Sequence, residues 1–123
     1  MDPSAVVTAF IAAFNRKEVE SALLLCAEDV LYHNVPMRPM TGRDQVQAAL
    51  GPFIGGCDAV DWVVHRQTAT GNVVMNERND RFQLKGRWAD LAVLGVFEVN
   101  TEGLITLWRD YFDLAEFNKA MKG

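Results

Sequence analysis

Two aspartates and an arginine stand where this 123-residue chain should carry apolar side chains. Arg78 and Asp80 lie in the strand-like run 74–84, and alternation places them on the face that also carries the apolar side chains of the run. In the run 104–112 the same parity places Asp110 with apolar neighbours. A buried, unpaired carboxylate costs several kcal/mol or becomes neutral. Two acids beside an arginine therefore predict a paired functional site that holds the two pKa values apart.

A further pair of inward polar side chains is expected from the short run 30–34. Tyr32 and Asn34 are two residues apart, so they share one face of this run with Val30. A phenol hydroxyl and an amide together can hold one water molecule by two hydrogen bonds. A third contact, from a carboxylate, would turn that water into a nucleophile. The three runs with inward polar side chains thus predict a site that activates water.

The elements that must position these side chains begin with helices. Apolar spacing and capping residues predict a first helix after Asp2-Pro3-Ser4, through Val6 to Phe14, and a second from Val19 to about Glu28. A short strand over 30–34 follows, then a third, shorter helix from Thr41 to about Leu50. Gly51-Pro52 and Gly55-Gly56 are expected to break regular structure.

Four longer strand-like runs occupy the second half of the chain. They cover residues 59–69, 73–84, 88–99 and 104–113, and a last helix is predicted over 114–121. Short links containing glycine between the runs favour an antiparallel meander. Helices followed by long strands predict a single α+β domain over residues 1–123, in which a curved, cone-shaped, mixed or antiparallel sheet packs on the N-terminal helices. The mouth of such a cone suits a small ligand.

Composition narrows the classes of partner. Half of the residues are apolar and the net charge is −4, so neither disorder nor a basic surface for nucleic acid or membrane is indicated. A small apolar molecule is the expected partner. Cys26 and Cys57 fit no zinc spacing, so no metal is predicted. The first residues lack a basic segment followed by an apolar one, and the predicted location is cytoplasmic.

Four segments, in this order, resemble the limonene-1,2-epoxide hydrolase family. They are Tyr32-x-Asn34, Glu77-Arg78-Asn79-Asp80, Leu94-Gly95-Val96-Phe97 and Trp108-Arg109-Asp110-Tyr111-Phe112-Asp113. The resemblance covers nearly the whole chain. It implies a fold of the NTF2-like or SnoaL-like kind, a cystatin-like roll, usually as a homodimer. It also implies hydrolysis of epoxides to vicinal diols in one step, with no covalent intermediate and no cofactor.

The same resemblance implies a role for each polar side chain. Asp110 would be the general base, Tyr32 and Asn34 would position the water, Asp80 would protonate the oxirane oxygen, and Arg78 would bridge the two acids. The chemistry is consistent, because an epoxide opens when a nucleophile attacks carbon while the departing oxygen gains a proton. One carboxylate must then be ionised while its partner is protonated.

Substrate contacts are expected from apolar side chains by analogy with the family. These are Phe82, Leu91, Val93, Trp108 and Phe117. The glycine-rich stretch 51–56 predicts a wider pocket or a looser lid than a side-chain-rich helix would give. Asp113 has the opposite parity to Asp110 and is predicted to cap the last helix.

Three other interpretations of the same residues stay open at this point. Arg78 and Asp80 could form a structural salt bridge on an exposed sheet face. The chain could be an isomerase of the ketosteroid isomerase kind, in which one aspartate moves a proton and a tyrosine stabilises an enolate. It could also be a non-catalytic carrier of lipophilic ligands on the same fold.

Overall fold

The computed structural model describes residues 2–122 of the chain. Its helices are α1 (Pro3–Asn15), α2 (Val19–Leu23), α3 (Arg43–Gly56) and α4 (Leu114–Lys122). Its strands are β1 (Cys26–Asn34), β2 (Met40–Thr41), β3 (Ala59–Thr70), β4 (Val73–Leu84), β5 (Arg87–Val99) and β6 (Ile105–Tyr111).

The strands form one six-stranded sheet in the order β2-β1-β6-β5-β4-β3. Strands β3 to β6 pair antiparallel in sequence order, which confirms the predicted meander. Strand β1 joins the far side of β6 in a parallel pairing, so the sheet is mixed. The α+β class with a curved sheet and N-terminal helices is confirmed.

Irregular pairing helps the long strands to curve around the helices. The register shifts between Cys26 and Leu31, between Val64 and Arg66, and between Glu98 and Val99. The shifts in β3 and at the β5–β6 pair each leave one residue unpaired, and the shift in β1 leaves several. Unpaired residues of this kind bend a strand and increase its twist. Helix α1 packs on the concave face, where Phe10 lies edge-on to Trp108 with ring centroids 4.8 Å apart and Phe14 stacks on Trp62 at 4.7 Å.

The predicted start of α1 is confirmed. Asp2 caps the helix by accepting a hydrogen bond from the backbone nitrogen of Ala5 at 2.8 Å, and Pro3 occupies the first turn. Proline is tolerated there because the first backbone N–H groups of a helix have no intrahelical acceptor. The predicted last helix is confirmed too, and Asp113 caps α4 by accepting from the backbone nitrogen of Glu116 at 3.0 Å.

The predicted length of the second helix is wrong. The helix ends at Leu23, and the segment that was expected to continue it is the first part of β1, beginning at Cys26. Strand β1 gains its backbone partners from β6, which is distant in the sequence, as in the pairing of Cys26 with Ile105. Local spacing carries no information on such a long-range pairing, so helical periodicity was misleading here.

The predicted break at Gly51-Pro52 is also wrong. Helix α3 continues through both residues to Gly56. Val46, before Gly51-Pro52, and Ile54, after it, are both fully buried against the core, so packing holds the two parts in one helix. Tertiary contacts here outweigh the low helix propensities of glycine and proline. The two-residue strand β2, which pairs with β1, was not predicted.

Candidate active site

The polar side chains predicted to face inward do so on the concave face of the sheet. Arg78 and Asp80 are 1% and 4% exposed, and Asp110 is 4% exposed. The interpretation of Arg78 and Asp80 as an exposed salt bridge is therefore wrong. Strand β4 alternates buried and accessible residues along this part, so its parity alone places both side chains.

Arg78 reaches Asp110 across an intervening strand, and Gly95 makes that possible. Gly95 of β5 pairs with Asn76 of β4 on one side and with Asp110 of β6 on the other. A Cβ atom at Gly95 would lie 2.3 Å from Nη1 of Arg78, which is closer than real contacts allow. The missing side chain therefore leaves the space that the guanidinium fills. This accounts physically for the glycine in the Leu94-Gly95-Val96-Phe97 segment.

The guanidinium joins the two acids into one buried cluster. Arg78 donates from Nε to Oδ1 of Asp80 at 2.9 Å and from Nη2 to Oδ2 of Asp80 at 3.0 Å. The same Nη2 donates to Oδ2 of Asp110 at 3.0 Å. Fork-shaped pairing of this kind is both strong and directional. Two carboxylates therefore share a single cation in a site from which water is largely excluded.

The surroundings of Asp110 raise the pKa of its carboxyl group. Burial raises the pKa of Asp110 to about 6, and the negative charge of Asp80 acts in the same direction. The charge of Arg78 and the hydrogen bonds from Arg78 and Trp108 oppose this rise. Trp108 donates from Nε1 to Oδ2 at 3.1 Å, whereas Oδ1 of Asp110 has no hydrogen-bond partner within residues 2–122.

Tyr32 and Asn34 lie beside this carboxylate on the neighbouring strand. The parallel pairing of β1 and β6 sets Asn34 opposite Asp110 and Tyr32 opposite Trp108. The ring of Tyr32 stacks on that of Trp108 with centroids 3.9 Å apart. Burial and the negative charges of Asp110 and Asp80 raise the pKa of Tyr32. Its hydroxyl therefore stays protonated and can both donate and accept a hydrogen bond.

A cavity of about 280 Å³ opens onto these groups. Its polar wall consists of Tyr32, Asn34, Asp80 and Asp110. The apolar walls from the sheet are Trp62, Phe82, Leu91 and Val93. Helix α3 adds Ala49, Leu50, Phe53 and Ile54, and the C-terminal segment adds Phe112 and Phe117. A larger, more open depression of about 670 Å³ lies beside α2 and the start of α3, and none of the inward polar residues lines it.

Four of the five predicted substrate contacts line the cavity, and Trp108 does not. Phe82, Leu91, Val93 and Phe117 are all in its walls. Trp108 is 1% exposed and lies behind Tyr32, where it stacks and donates to Asp110. From this position it packs against the polar wall of the cavity. Arg78 is likewise absent from the walls, so the cavity meets it only through the carboxylates.

Several residues of the site were missed from the sequence. Asn76 is 1% exposed on the same face as Arg78 and accepts from its Nη1 at 2.8 Å. Its parity along β4 was a sufficient signal. Phe53 and Ile54 lie in the segment where a break was predicted, so no helical face was assigned to them. Trp62 lines the cavity, and the guanidinium of Arg78 lies over its ring, with Cζ 5.7 Å from the centroid.

Comparison with known proteins places the chain in a family. Residues 1–122 match the sequence profile of the limonene-1,2-epoxide hydrolase catalytic domain. The chain belongs to the limonene-1,2-epoxide hydrolase family. One protein of similar sequence is epoxide hydrolase EphG of Mycobacterium tuberculosis (strain ATCC 25618 / H37Rv). It is 31% identical over 115 residues, which are 94% of this chain and 76% of that protein.

Solved structures agree with this family and with its wider fold. The structure of a limonene-1,2-epoxide hydrolase-like epoxide hydrolase from M. tuberculosis superposes with a TM-score of 0.83 at 31% identity, covering 94% of this chain and 86% of that one. An NTF2-like protein of unknown function from Burkholderia pseudomallei superposes with a TM-score of 0.85 at 20% identity, covering 100% and 99%. The latter likeness shows the fold alone. None of the helices in residues 2–122 has the length and apolar character needed to cross a bilayer.

Proposed function

We propose that this member of the limonene-1,2-epoxide hydrolase family converts an apolar epoxide to a vicinal diol by one-step attack of water. The observation that carries the proposal is the shared cation. One nitrogen of Arg78 holds two carboxylates that both line an apolar cavity, and one of those carboxylates keeps an oxygen that has no partner within residues 2–122. A reaction that needs an acid and a base beside the same substrate fits this arrangement.

The contacts and the pKa of Asp110 support its role as the general base. Its Oδ1, which no group of the described residues 2–122 contacts by a hydrogen bond, can accept one from a water molecule, while Oδ2 is fixed by Arg78 and Trp108. A pKa near 6 leaves the carboxylate ionised at neutral pH yet basic enough to take a proton. Asn34, which lies opposite Asp110, and Tyr32 supply the other hydrogen bonds that would hold this water.

The position of Asp80 supports its role as the general acid. It lines the cavity from β4, whereas Asp110 lines it from β6, so an epoxide between them would meet the two groups on different sides. In the proposed step the water attacks one ring carbon and loses a proton to Asp110, while Asp80 gives its proton to the oxirane oxygen as the C–O bond breaks. Arg78 stabilises the one negative charge that the pair carries before and after the step.

The apolar walls support a substrate that is itself apolar. Phe82, Leu91, Val93 and Phe117, the predicted substrate contacts that line the cavity, surround the polar wall together with Phe53 of α3. Burial of a hydrocarbon body against them would supply binding free energy, while the two carboxylates supply orientation. The homodimer and the cytoplasmic location inferred from the sequence stay predictions, and sedimentation of the purified protein tests the first of them.

A panel of epoxides tests the proposal. Cyclohexene oxide, limonene oxide, styrene oxide and a steroid epoxide would each be incubated with the protein, together with an unsaturated ketosteroid as a substrate for isomerisation. We expect diol from at least one epoxide and no shift of the ketosteroid double bond. Binding of the epoxides without diol formation would indicate a carrier, and double-bond migration would indicate an isomerase. Either result would overturn the proposed reaction.

A further inference from the structure

A chain of hydrogen bonds behind the cavity wall ends on Arg78 and has no part in the mechanism so far. The residue of this chain that bonds directly to Arg78 is Asn76, which is 1% exposed and does not line the cavity. Asn76 accepts from Nη1 of Arg78 through Oδ1 at 2.8 Å and donates from Nδ2 to Oε1 of Gln67 at 3.1 Å. It therefore contacts the nitrogen of the guanidinium that bonds to neither carboxylate.

Gln67 connects this pair to the first helix. Its Nε2 lies 3.1 Å from the backbone oxygen of Ser4, 2.7 Å from the Ser4 hydroxyl and 3.2 Å from the Thr8 hydroxyl. Because a backbone oxygen can only accept, the amide nitrogen of Gln67 must face α1. Its oxygen then faces Asn76, which in turn directs the Asn76 oxygen to Arg78. The helix thus sets the direction of every hydrogen bond in the chain.

The inventory of donors on Arg78 shows why that direction matters. Arginine has five N–H groups, and burial leaves each one in need of an acceptor. Nε and Nη2 serve the two carboxylates, and Asn76 is the side-chain acceptor for Nη1. The guanidinium and the Asn76 oxygen both lie over Gly95, where a Cβ atom would be 2.3 Å from Nη1 and 2.8 Å from Oδ1 of Asn76. Without the Asn76 oxygen, Nη1 would lose its acceptor and the guanidinium could turn away from one of the acids.

We propose that Asn76 is a positioning residue, held by Gln67 against α1, that orients Arg78 so that one guanidinium nitrogen bridges Asp80 and Asp110. Asn76 acts through Arg78 and not on the substrate. Its consequences for turnover rest on the proposed function, whereas its consequences for the titration of the two acids do not. The titratable side chains that face the cluster, among residues 2–122, are Tyr32 of β1, Arg78 and Asp80 of β4 and Asp110 of β6; α1 and β3 present aromatic rings there.

The test compares substitutions on the two faces of one strand. Asn76→Asp places a third carboxylate against Arg78, and Asn79→Asp makes the same change of charge three residues on, where the side chain bonds to His65 and Asp90 on the outer face. Asn76→Leu removes the acceptor at similar volume, and Gln67→Met removes the link to α1. Side-chain carboxyl NMR would follow the titration of Asp80 and Asp110 in every variant, beside kcat and KM for an epoxide.

In the Asn76 variants we expect the titration midpoint of the buried pair to rise, by roughly one pH unit in Asn76→Asp, because Arg78 stabilises the ionised pair less. A smaller rise is expected in Gln67→Met and none in Asn79→Asp. We expect kcat to fall roughly 10–100-fold in Asn76→Leu with KM within about twofold of the wild type, since Asn76 is outside the cavity.

Two outcomes separate this inference from the proposed function. If Asn76→Leu and Gln67→Met both keep the wild-type midpoint, Asn76 does not position Arg78 and the inference is wrong. Should Asn76→Leu fail to fold, Gln67→Met decides by the same titration, since it adds no charge that would itself raise the midpoint. If the wild type turns over no epoxide while the midpoints still rise as expected, the inference stands and the proposed function fails.

Discussion

Two clusters of one arginine and two aspartates occupy opposite faces of the sheet around the same strand. The inner cluster consists of Arg78, Asp80 and Asp110, and the outer cluster of Arg81, Asp61 and Asp90. Both centre on an arginine of β4, and in both the arginine pairs with an acid on another strand. Only three positions along one strand separate the two arginines, and that odd spacing puts them on opposite faces.

Burial is the property that distinguishes the clusters. The side chains of the inner cluster are 0%, 6% and 5% exposed in the order given, and those of the outer cluster 34%, 49% and 53%. Water and salt screen the outer charges, so such pairs contribute little to the free energy of folding. Inside, the same charges are screened less and act more strongly on each other's protonation. Identical residue types therefore give a buried, electrostatically coupled cluster on one face and solvated surface pairs on the other.

Removing a carboxylate should separate the clusters most clearly. We expect Asp80→Asn and Asp110→Asn each to lower kcat roughly 10²–10⁴-fold, because each removes one proton-transfer group. Asp61→Asn and Asp90→Asn should stay within about twofold of the wild type. Steady-state assay of diol formation measures all four. Near-normal turnover by either inner variant would contradict the assigned roles.

Removing the arginine should separate the clusters in stability. Arg78→Leu leaves two buried carboxylates without their cation, and we expect a loss of about 3–5 kcal/mol in the free energy of unfolding. Arg81→Leu removes two solvent-accessible ion pairs and a stacking contact with Trp88, and should cost about 1 kcal/mol or less. Urea titration at neutral pH compares them. Equal losses would show that burial is not what distinguishes the two arginines.

The pH dependence of turnover tests which protonation state of Asp110 works. If Asp110 is the base, it must be ionised, so kcat/KM should fall as pH drops through about 6, approaching tenfold per pH unit below it. The Asp90→Asn variant should keep the same acid limb. An activity that instead falls as pH rises through about 6 would make Asp110 the acid and reverse the roles of the pair.

The pH dependence of stability should show the smallest of these effects. The pKa of Asp110 in the folded chain lies above the ordinary value of 3.8, so between 3.8 and about 6 the folded state binds more protons than the unfolded state. Stability contributed by this group is therefore present at low pH and lost as pH rises through that window. Asp110→Asn should gain about 1–3 kcal/mol relative to the wild type from pH 4 to pH 7. Asp90→Asn should show no such relative gain.

Sequence pattern predicted the site where structure is locally regular. Arg78 and Asp80 lie on an uninterrupted part of β4, so alternation located them correctly. Around β6 the register shifts between Glu98 and Val99, and Ile105 pairs with Val99 while Leu107 pairs with Glu98. Ile105 and Leu107 are both buried, and they lie on different faces of the sheet because their partners are adjacent residues of β5. Apolar residues therefore occur on both parities near Asp110, so its parity was a weaker signal than that of Arg78 and Asp80, and the family motif supported it.

The parts that could not be predicted depend on contacts between distant segments. The early start of β1 needs its partner β6, and the continuation of α3 past Pro52 needs the core that buries Ile54. Burial itself distinguishes the two arginine clusters, and no local pattern encodes how much water reaches Arg81. Asn76 could have been predicted from its parity, but its link to Gln67 and α1 could not.

A single turnover in ¹⁸O-labelled water tests the central claim, that the inner cluster activates water for direct attack. The protein would be in excess over a racemic epoxide, so that each molecule reacts at most once, and both diol and protein would be analysed by mass spectrometry. We predict one ¹⁸O atom in the diol and none in the protein. Unlabelled diol together with ¹⁸O in an aspartate of the protein would show a covalent intermediate and contradict the account.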